Sequence, residues 1–513
     1  MSQTSDKRIA KNTIVLYIQL FLQMAIGLYT SRVVLNTLGV SDFGLYNVVG
    51  GVVLMLAFLN SAMASASQRF ISYELGSGNY HSLQNVFSVS IKVHVLLAII
   101  VAIVLESVGY WFLNNKLVIP IDRNEAANWV FQCSIISFVL TIISVPYNSL
   151  IIAYEKMSAF AYITIFESIL RLSIVFILQY LYCDKLVLYA ILSMIVSIII
   201  RFCYTLYCKI KIPSVKFVNT KDKSLFKQIF SFASWSVIGN IGFTAKDQLS
   251  NIVINLFCGT VVNAARGIAS QVNSVVSSFA SNFGMAVNPQ ITKSYAAGEF
   301  EDCKRLVFLG ARIKFYLLSI IAIPVIINSG KILELWLINV PQYAIQFLIL
   351  VITASVFDTL SSTASTAIQA TGNIKKFTII NSILLLLEVP IAYILLFIGS
   401  APYYASIPTI LLSVISTVYR FCYLHNLTQV FDLKSIILNL VLKNILLFCF
   451  MLTGPFLLKS YMPDNFMSFF LSILFSIIWT VAIVFLLGLN KDEKQEVCSK
   501  IKLILSKYTY KNI

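Results

Sequence analysis

Charged residues are few in this chain: Asp, Glu, Lys and Arg together make up 12% of 513 residues, against 58% hydrophobic, and only three residues are histidine. Soluble domains carry roughly 25% charged residues, so this composition leaves no room for a sizeable one. The GxxxxGK[S/T] loop that cradles nucleotide phosphates is missing, which removes that route for ATP as a direct energy source. No Asp-x-Asp pair occurs, and the longest polar joint on the outer side, about 113–127, is short. Loop-borne catalytic groups of a membrane glycosyltransferase or polymerase therefore have little to assemble on. The nine cysteines, Cys133, Cys183, Cys203, Cys208, Cys258, Cys303, Cys422, Cys449 and Cys498, are odd in number and lack metal-ligand spacing. They read as small core residues, not as a disulfide framework. After Lys7, Arg8 and Lys11 the first apolar run continues to about Leu35 without a small-residue cleavage site, so it reads as a retained helix and not as a signal peptide.

What is present in quantity is apolar sequence, in runs of about twenty residues from Asn12 to Leu489, each long enough to span the ~30 Å hydrocarbon core as a helix. We place fourteen such spans, which makes the chain an all-α integral membrane protein. The net charge of +16 would suggest nucleic acid in a soluble protein; here it first reports topology. With the N-terminus inside, the inner joints and tails hold 23 Lys and Arg and the outer joints 5, so both termini are expected in the cytoplasm. The predicted organisation is a six-helix bundle over 1–208, a basic cytoplasmic linker over 209–228, a second six-helix bundle over 229–424, two further helices over 425–488 and a basic tail over 489–513. The linker and tail lysines are expected to lie along anionic lipid head groups.

The two bundles share a weak pattern. Ser72-Tyr73-Glu-Leu-Gly76 follows the second span and Ser294-Tyr295-Ala-Ala-Gly298 the eighth; Ala153 with Phe160 follows the fourth, and Ala370 with Phe377 the tenth. A six-span unit recurs with the same orientation, so the halves are expected as parallel repeats about an axis along the membrane normal. The stretch from Asn255 to Gly298, NLFCGTVVNAARGIASQVNSVVSSFASNFGMAVNPQITKSYAAG, resembles the mid-chain signature of Wzx-type oligosaccharide flippases of the multidrug/oligosaccharidyl-lipid/polysaccharide exporter superfamily. The segment Leu38-Gly39-Val40-Ser41-Asp42-Phe43-Gly44-Leu45-Tyr46 is similar to the joint after their first helix. The resemblance implies twelve helices in two MATE-like bundles around a central cavity, two extra C-terminal helices, and passage of undecaprenyl-diphosphate-linked sugars from the inner to the outer leaflet.

An ionised side chain in mid-bilayer costs at least ~2.5–3.5 kcal/mol, so each one needs a reason. The spans hold ten basic residues (Arg32, Lys92, Arg171, Arg201, Lys246, Arg266, Arg312, Lys314, Arg420, Lys443) and five acidic ones (Glu106, Glu167, Asp247, Asp358, Glu388). A net cationic interior suits an anionic passenger, because Arg presents a donor fork to phosphate oxygens. Lys92, Arg312, Lys314, Arg420 and Lys443 lie near inner ends and are expected to snorkel. The deep Arg171, Lys246 and Arg266 are the main diphosphate-binding candidates. Arg32, near an outer end, is divided between that role and snorkelling. Glu167 and Arg171, four apart, share a helical face, so the Arg either neutralises the Glu or faces a cavity. Lys246 and Asp247 point about 100° apart, so at least one must find a partner elsewhere. Asp358, amid Thr353, Ser355, Thr359, Ser361, Ser362 and Thr363, is either a proton- or sodium-coupling carboxylate or the partner of a cation on another helix; Asp247 and Glu167 are further coupling candidates. Glu388 precedes Pro390, which predicts a kink. Gln19 and Gln23, one turn apart, are candidates for sugar hydroxyls or for interhelical hydrogen bonds. His94 reads as a bundle histidine.

The expected function is a flippase for a lipid-diphosphate-linked oligosaccharide, not an enzyme, in the bacterial cytoplasmic membrane. It would need no cofactor beyond a coupling H+ or Na+, and polysaccharide-assembly enzymes are its expected protein partners. A drug exporter of the same fold would carry organic cations and want an acidic interior, which the basic excess opposes.

Overall fold

The computed structural model describes all residues except 1, 55, 116–118, 181–182, 338–339, 430, 433, 435, 464, 491–492 and 496–513, so most of the basic tail and Cys498 lie outside the described residues. Among the described residues the regular structure is helical, without a strand. Eleven helices are long and apolar enough to cross a bilayer. Three more polar helical stretches, Ala57–Ser77, 223–258 and 260–296, have the length to do so, a set consistent with the fourteen expected passes. The Lys223–Ala296 helix counts 74 residues, roughly 110 Å at 1.5 Å per residue and far beyond one crossing.

Glycines punctuate the long helices. Ser2–Leu54 is interrupted at Gly39 (φ 81, ψ 165) and Lys223–Ala296 at Gly259 (φ 79, ψ −177), a conformation reserved for residues without a Cβ. These two positions are 220 residues apart, as are Gly78 (φ 73) and Gly298 (φ 77) after the following helices. Glu155 (φ 58) and Gly372 (φ 81) mark a third pair of joints. The backbone thus carries the repeat. It also corrects the register of one match: Gly298 corresponds to Gly78 and not to Gly76, because left-handed residues end the helices there.

The chain divides into two compact units, the first comprising 1–244, 282–306 and 366–382 and the second 245–281, 307–365 and 383–513. In the first, the helices Ala57–Ser77, Tyr80–Val104, Asn124–Ala153, Met157–Tyr180 and Lys185–Lys211 pack around buried Phe70, Phe87, Ile151, Leu178 and Tyr204, with a second cluster around Phe131 and Ile142. The 212–222 segment is strapped to the Tyr80–Val104 helix: Val218 N–H donates to Ser88 Oγ (2.8 Å), Gln84 to the Ser214 carbonyl (2.7 Å), and Lys92 Nζ to Asn219 Oδ1 (2.9 Å) and the Thr220 carbonyl (2.5 Å). Asp222 then caps the next helix through Leu225 N–H.

In the second unit, Phe300–Ile327 from Val307 on, most of Ala344–Thr371, Ile407–Thr428, Lys443–Tyr461 and Phe466–Ile483 supply the helices. The last two are held by Trp479, whose indole N–H donates to the Phe450 carbonyl (3.1 Å) and whose ring leaves no space for a side chain at Gly454. Arg312 is held by the Glu493 carboxylate (2.9 Å) and the Gly488 carbonyl (2.7 Å). The predicted kink is present: the helix from Lys375 stops at Leu386 and resumes at Glu388, where Pro390 has no N–H to donate back to Leu386.

Candidate functional site

Small residues prepare the approach of two helices that carry charge. Gly239, Gly242, Lys246 and Ser250 recur at helical spacing on one face, and a Cβ at Gly242 would lie 2.7 Å from Ser382 Oγ. Farther along the same two helices, within the second unit, Lys246 Nζ stands 3.3 Å from Glu388 Oε2, and Ser250 Oγ donates to Glu388 Oε1 (3.1 Å). Arg266, on the helical stretch after Gly259, brings Nη2 to 3.7 Å from Glu388 Oε1 and donates through Nη1 to Asn251 Oδ1 (2.5 Å) and the Asp247 carbonyl (3.2 Å). Its Nε is buried and has no hydrogen-bond partner. Glu388 is 2% exposed and Lys246 and Arg266 8% each, whereas Asp247 is open at 45%.

Two of the three deep cations therefore converge on one buried point. They are not bare: two carboxylates face two cations, so the cluster is formally neutral. Lys246 stands 3.3 Å from its neighbour Asp247, and the partner elsewhere that their angular separation called for is Glu388.

In the first unit, Arg171 donates to Glu167 Oε1 through Nε (3.0 Å) and Nη2 (2.8 Å). Arg171 also lines a cavity of about 280 Å³ whose other walls mix the hydroxyls of Tyr46, Ser134, Ser137, Thr141, Ser193 and Ser197 with glycines and apolar residues such as Val53 and Phe138. Both readings of this pair hold at once, since the Arg meets its Glu and faces the cavity. Gln19 donates to Gln23 Oε1 (2.5 Å), so these two amides are joined within one helix. The Arg32 side chain lies outside the described residues. In the second unit Asp358 is paired with Arg420 (3.2 Å), which also donates to Ser361 Oγ (2.8 Å), and the buried Lys314 donates to Ser362 Oγ (2.9 Å). His94 Nδ1 meets the Ser90 carbonyl at 2.7 Å, while its Nε2 is buried without a partner.

Residues that the sequence reading passed over form a clasp within the first unit, at the end that carries Arg8. The Glu155 carboxylate, 5% exposed, accepts from Lys293 Nζ (2.5 Å) and from Gln290, with Arg8 at 3.9 Å, and its carbonyl accepts from Asn12 (3.3 Å). In the repeat-related joint, Arg69 donates to the carbonyls of Gln369 (3.1 Å) and Ala370 (2.9 Å), held flat against Phe70 and Tyr73. Each half thus extends a cation from its second helix to the other half's joint. The backbones touch as well: a Cβ at Gly76 would lie 2.4 Å from the Lys293 carbonyl oxygen. Beside the clasp, Leu16, Ile152, Met157 and Ala286 form an apolar plug. The signal was available in part, since Glu155 and Gly372 occupy the same place in the aligned joints.

Comparison with known proteins gives this geometry a lineage. The family described as "Polysaccharide biosynthesis protein" matches residues 9–295 and the MatE family residues 236–394. The "Uncharacterized membrane protein EpsK" of Bacillus subtilis (strain 168) is 20% identical over 318 residues, 62% of this chain and 63% of that protein, so less than two thirds of the relative's length is matched. Among solved structures, an outward-facing multidrug resistance MATE family transporter of the MOP superfamily superposes with a TM-score of 0.73 at 14% identity, covering 83% of this chain and 97% of that one. A MOP superfamily transporter from Pyrococcus furiosus, whose title reports reversed polarity of its binding pocket and suggests a different function, gives 0.71 at 14% identity, covering 82% and 96%. At such identities these likenesses establish the fold, and family and fold together point to a transporter rather than an enzyme. The chain is a multi-pass membrane protein with the MATE fold, and it belongs to the polysaccharide biosynthesis protein family.

Proposed function

We propose that the protein flips undecaprenyl-diphosphate-linked oligosaccharide from the inner to the outer leaflet of the bacterial cytoplasmic membrane, by alternating access, for assembly of a surface polysaccharide such as O-antigen, capsule or exopolysaccharide. The observation that carries the proposal is the convergence of Lys246 and Arg266 in the membrane-spanning region, with a buried Arg266 Nε still seeking an acceptor. Unassisted crossing would strand the sugar hydroxyls and two phosphate charges in hydrocarbon, each costing several kcal/mol, and paired basic groups replace that lost hydration. The cavity around Arg171, half of whose other lining residues carry hydroxyls, is suited to part of the sugar head group. Gln19 and Gln23 spend one amide contact on each other and are weaker candidates for sugar. The carboxylates considered for cation coupling, Asp358, Asp247 and Glu167, each contact a resident Arg or Lys, so a coupling H+ or Na+ would have to displace that partner. The excess of Lys and Arg on their side supports a cytoplasmic location for both termini.

The test is genetic. Arg266→Ala and Lys246→Ala are expected to leave expression intact and to stop surface glycan assembly, with lipid-linked precursor accumulating on the inner leaflet. Normal glycan in both variants would remove the assigned site.

A further inference from the structure

Resting on that reading, we infer that Glu388 is a resident counter-anion: it occupies the cation pair when the site is empty, and the diphosphate of the cargo displaces it. The argument starts from charge. Lys246 and Arg266 are nearly sealed from solvent, and two such cations without an anion would be costly to fold around. Glu388 meets that need with both oxygens, Oε2 toward Lys246 and Oε1 toward Arg266 and Ser250.

The fit of the carboxylate is imperfect, which leaves a better ligand something to gain. Arg266 Nη2 is 3.7 Å away, beyond a good hydrogen bond, and its Nε is idle. A diphosphate offers more acceptor oxygens and about twice the charge, enough to engage both Arg edges and Lys246 together. Asp247, 45% exposed, is the open edge of the cluster. Pro390, two residues on, cannot donate to the Leu386 carbonyl, so the backbone ladder beside Glu388 lacks one hydrogen bond.

Displacement has a protonic consequence. The charged and titratable groups facing Glu388 are Lys246 and Asp247 from one helix and Arg266 from the next, with Ser250 and Asn251 neutral. Once the cations turn to phosphate, a charged Glu388 is left without a partner in buried surroundings, so it takes up one proton from water as the cargo settles.

The experiment uses the full-length protein in lipid nanodiscs, with geranylgeranyl diphosphate as the probe and the corresponding monophosphate as control. Calorimetry in two buffers of different ionisation enthalpy yields both affinity and proton uptake. Glu388→Gln is expected to bind the diphosphate at least ~10-fold more tightly than the wild type and to take up one proton fewer; protonation of the probe itself is common to both and cancels. Since Glu388→Gln leaves two buried cations facing only Asp247, the same comparison is made in a Lys246→Met background, where Lys246→Met with Glu388→Gln is expected to bind more tightly than Lys246→Met alone. Unchanged or weaker binding on removing the carboxylate, in folded protein of either background, overturns the inference while leaving the flippase reading in place. Failure of the wild type and every variant to bind any prenyl diphosphate sinks the flippase reading itself, and the inference with it.

Discussion

The clasp between Lys293 and Glu155 makes a quantitative demand on the closed end of the first unit. Replacing Lys293 with Met keeps the length of the side chain and removes one charge-assisted hydrogen bond, a contact that is typically worth about 1.5–3 kcal/mol. Because Lys293 is 23% exposed and its partner 5%, solvent screens one side of the pair and the lower part of that range applies. At about 1.4 kcal/mol per decade, the population open at this end should rise roughly tenfold. A cysteine placed at Ala286, fully buried in the adjacent plug, reports on that opening through its rate of alkylation by maleimide, read by mass spectrometry of its own peptide. The rate should rise about tenfold in Lys293→Met and in Arg69→Ala. It should stay unchanged in Lys304→Met, which loses only an exposed pair with Glu301. Rates within twofold of the parent in both clasp variants, at unchanged melting temperature, would refute the assignment of these contacts as the fastening of that end.

Other expectations follow from single positions. Gly76→Ala forces a Cβ into the Lys293 backbone and is expected to cost about 1–3 kcal/mol, seen as a lowered melting temperature. Gly39→Ala and Gly259→Ala meet no neighbouring atom, so their expected loss of about 1–3 kcal/mol each comes from backbone strain alone, whereas Gly27→Ala and Gly267→Ala, equally uncrowded but at ordinary φ, should be neutral or stabilising by thermal melt. Burial raises the Asp184 carboxyl pKa, but the amides of Val187 and Leu186 and the Arg123 guanidinium outweigh it and hold the group below the usual carboxylate range. Its contribution is therefore present above the ordinary value of about 4 and lost as pH falls through the lowered one. Melting temperature should respond to this tie only under acid, and Arg123→Ala, which frees Asp42 and Asp184 together, should lower it slightly at neutral pH and reduce that acid sensitivity, the Val187 and Leu186 amides keeping the remainder.

The passes were legible because hydropathy is a local property: a run of apolar residues spans the bilayer whatever lies elsewhere in the chain. The kink before Pro390 was legible for the same reason, since a missing backbone donor acts on the residue four positions back. The repeat was half legible, from short matches whose register only the left-handed glycines settle. What sequence could not disclose is which charge meets which. Lys246 and Glu388 are 142 residues apart, and nothing near either announces the other. The excess of basic residues suggested a bare positive lining, yet the deep cations are matched by carboxylates, because burial without a partner costs more than the pairing. Glu155, Arg69 and Lys293 escaped notice because they sit at or beside joints, where charge is ordinarily solvated.

The two fastenings of the clasp differ in one respect with a genetic consequence. Lys293 grips a side chain, so a single codon change at position 155 releases it. Arg69 grips main-chain oxygens, which every amino acid supplies, so no replacement at 369 or 370 deletes its acceptors. Suppressors and natural variation that loosen this end should therefore accumulate at the carboxylate joint, while positions 369 and 370 of the opposite joint drift freely in sequence as long as Arg69 persists.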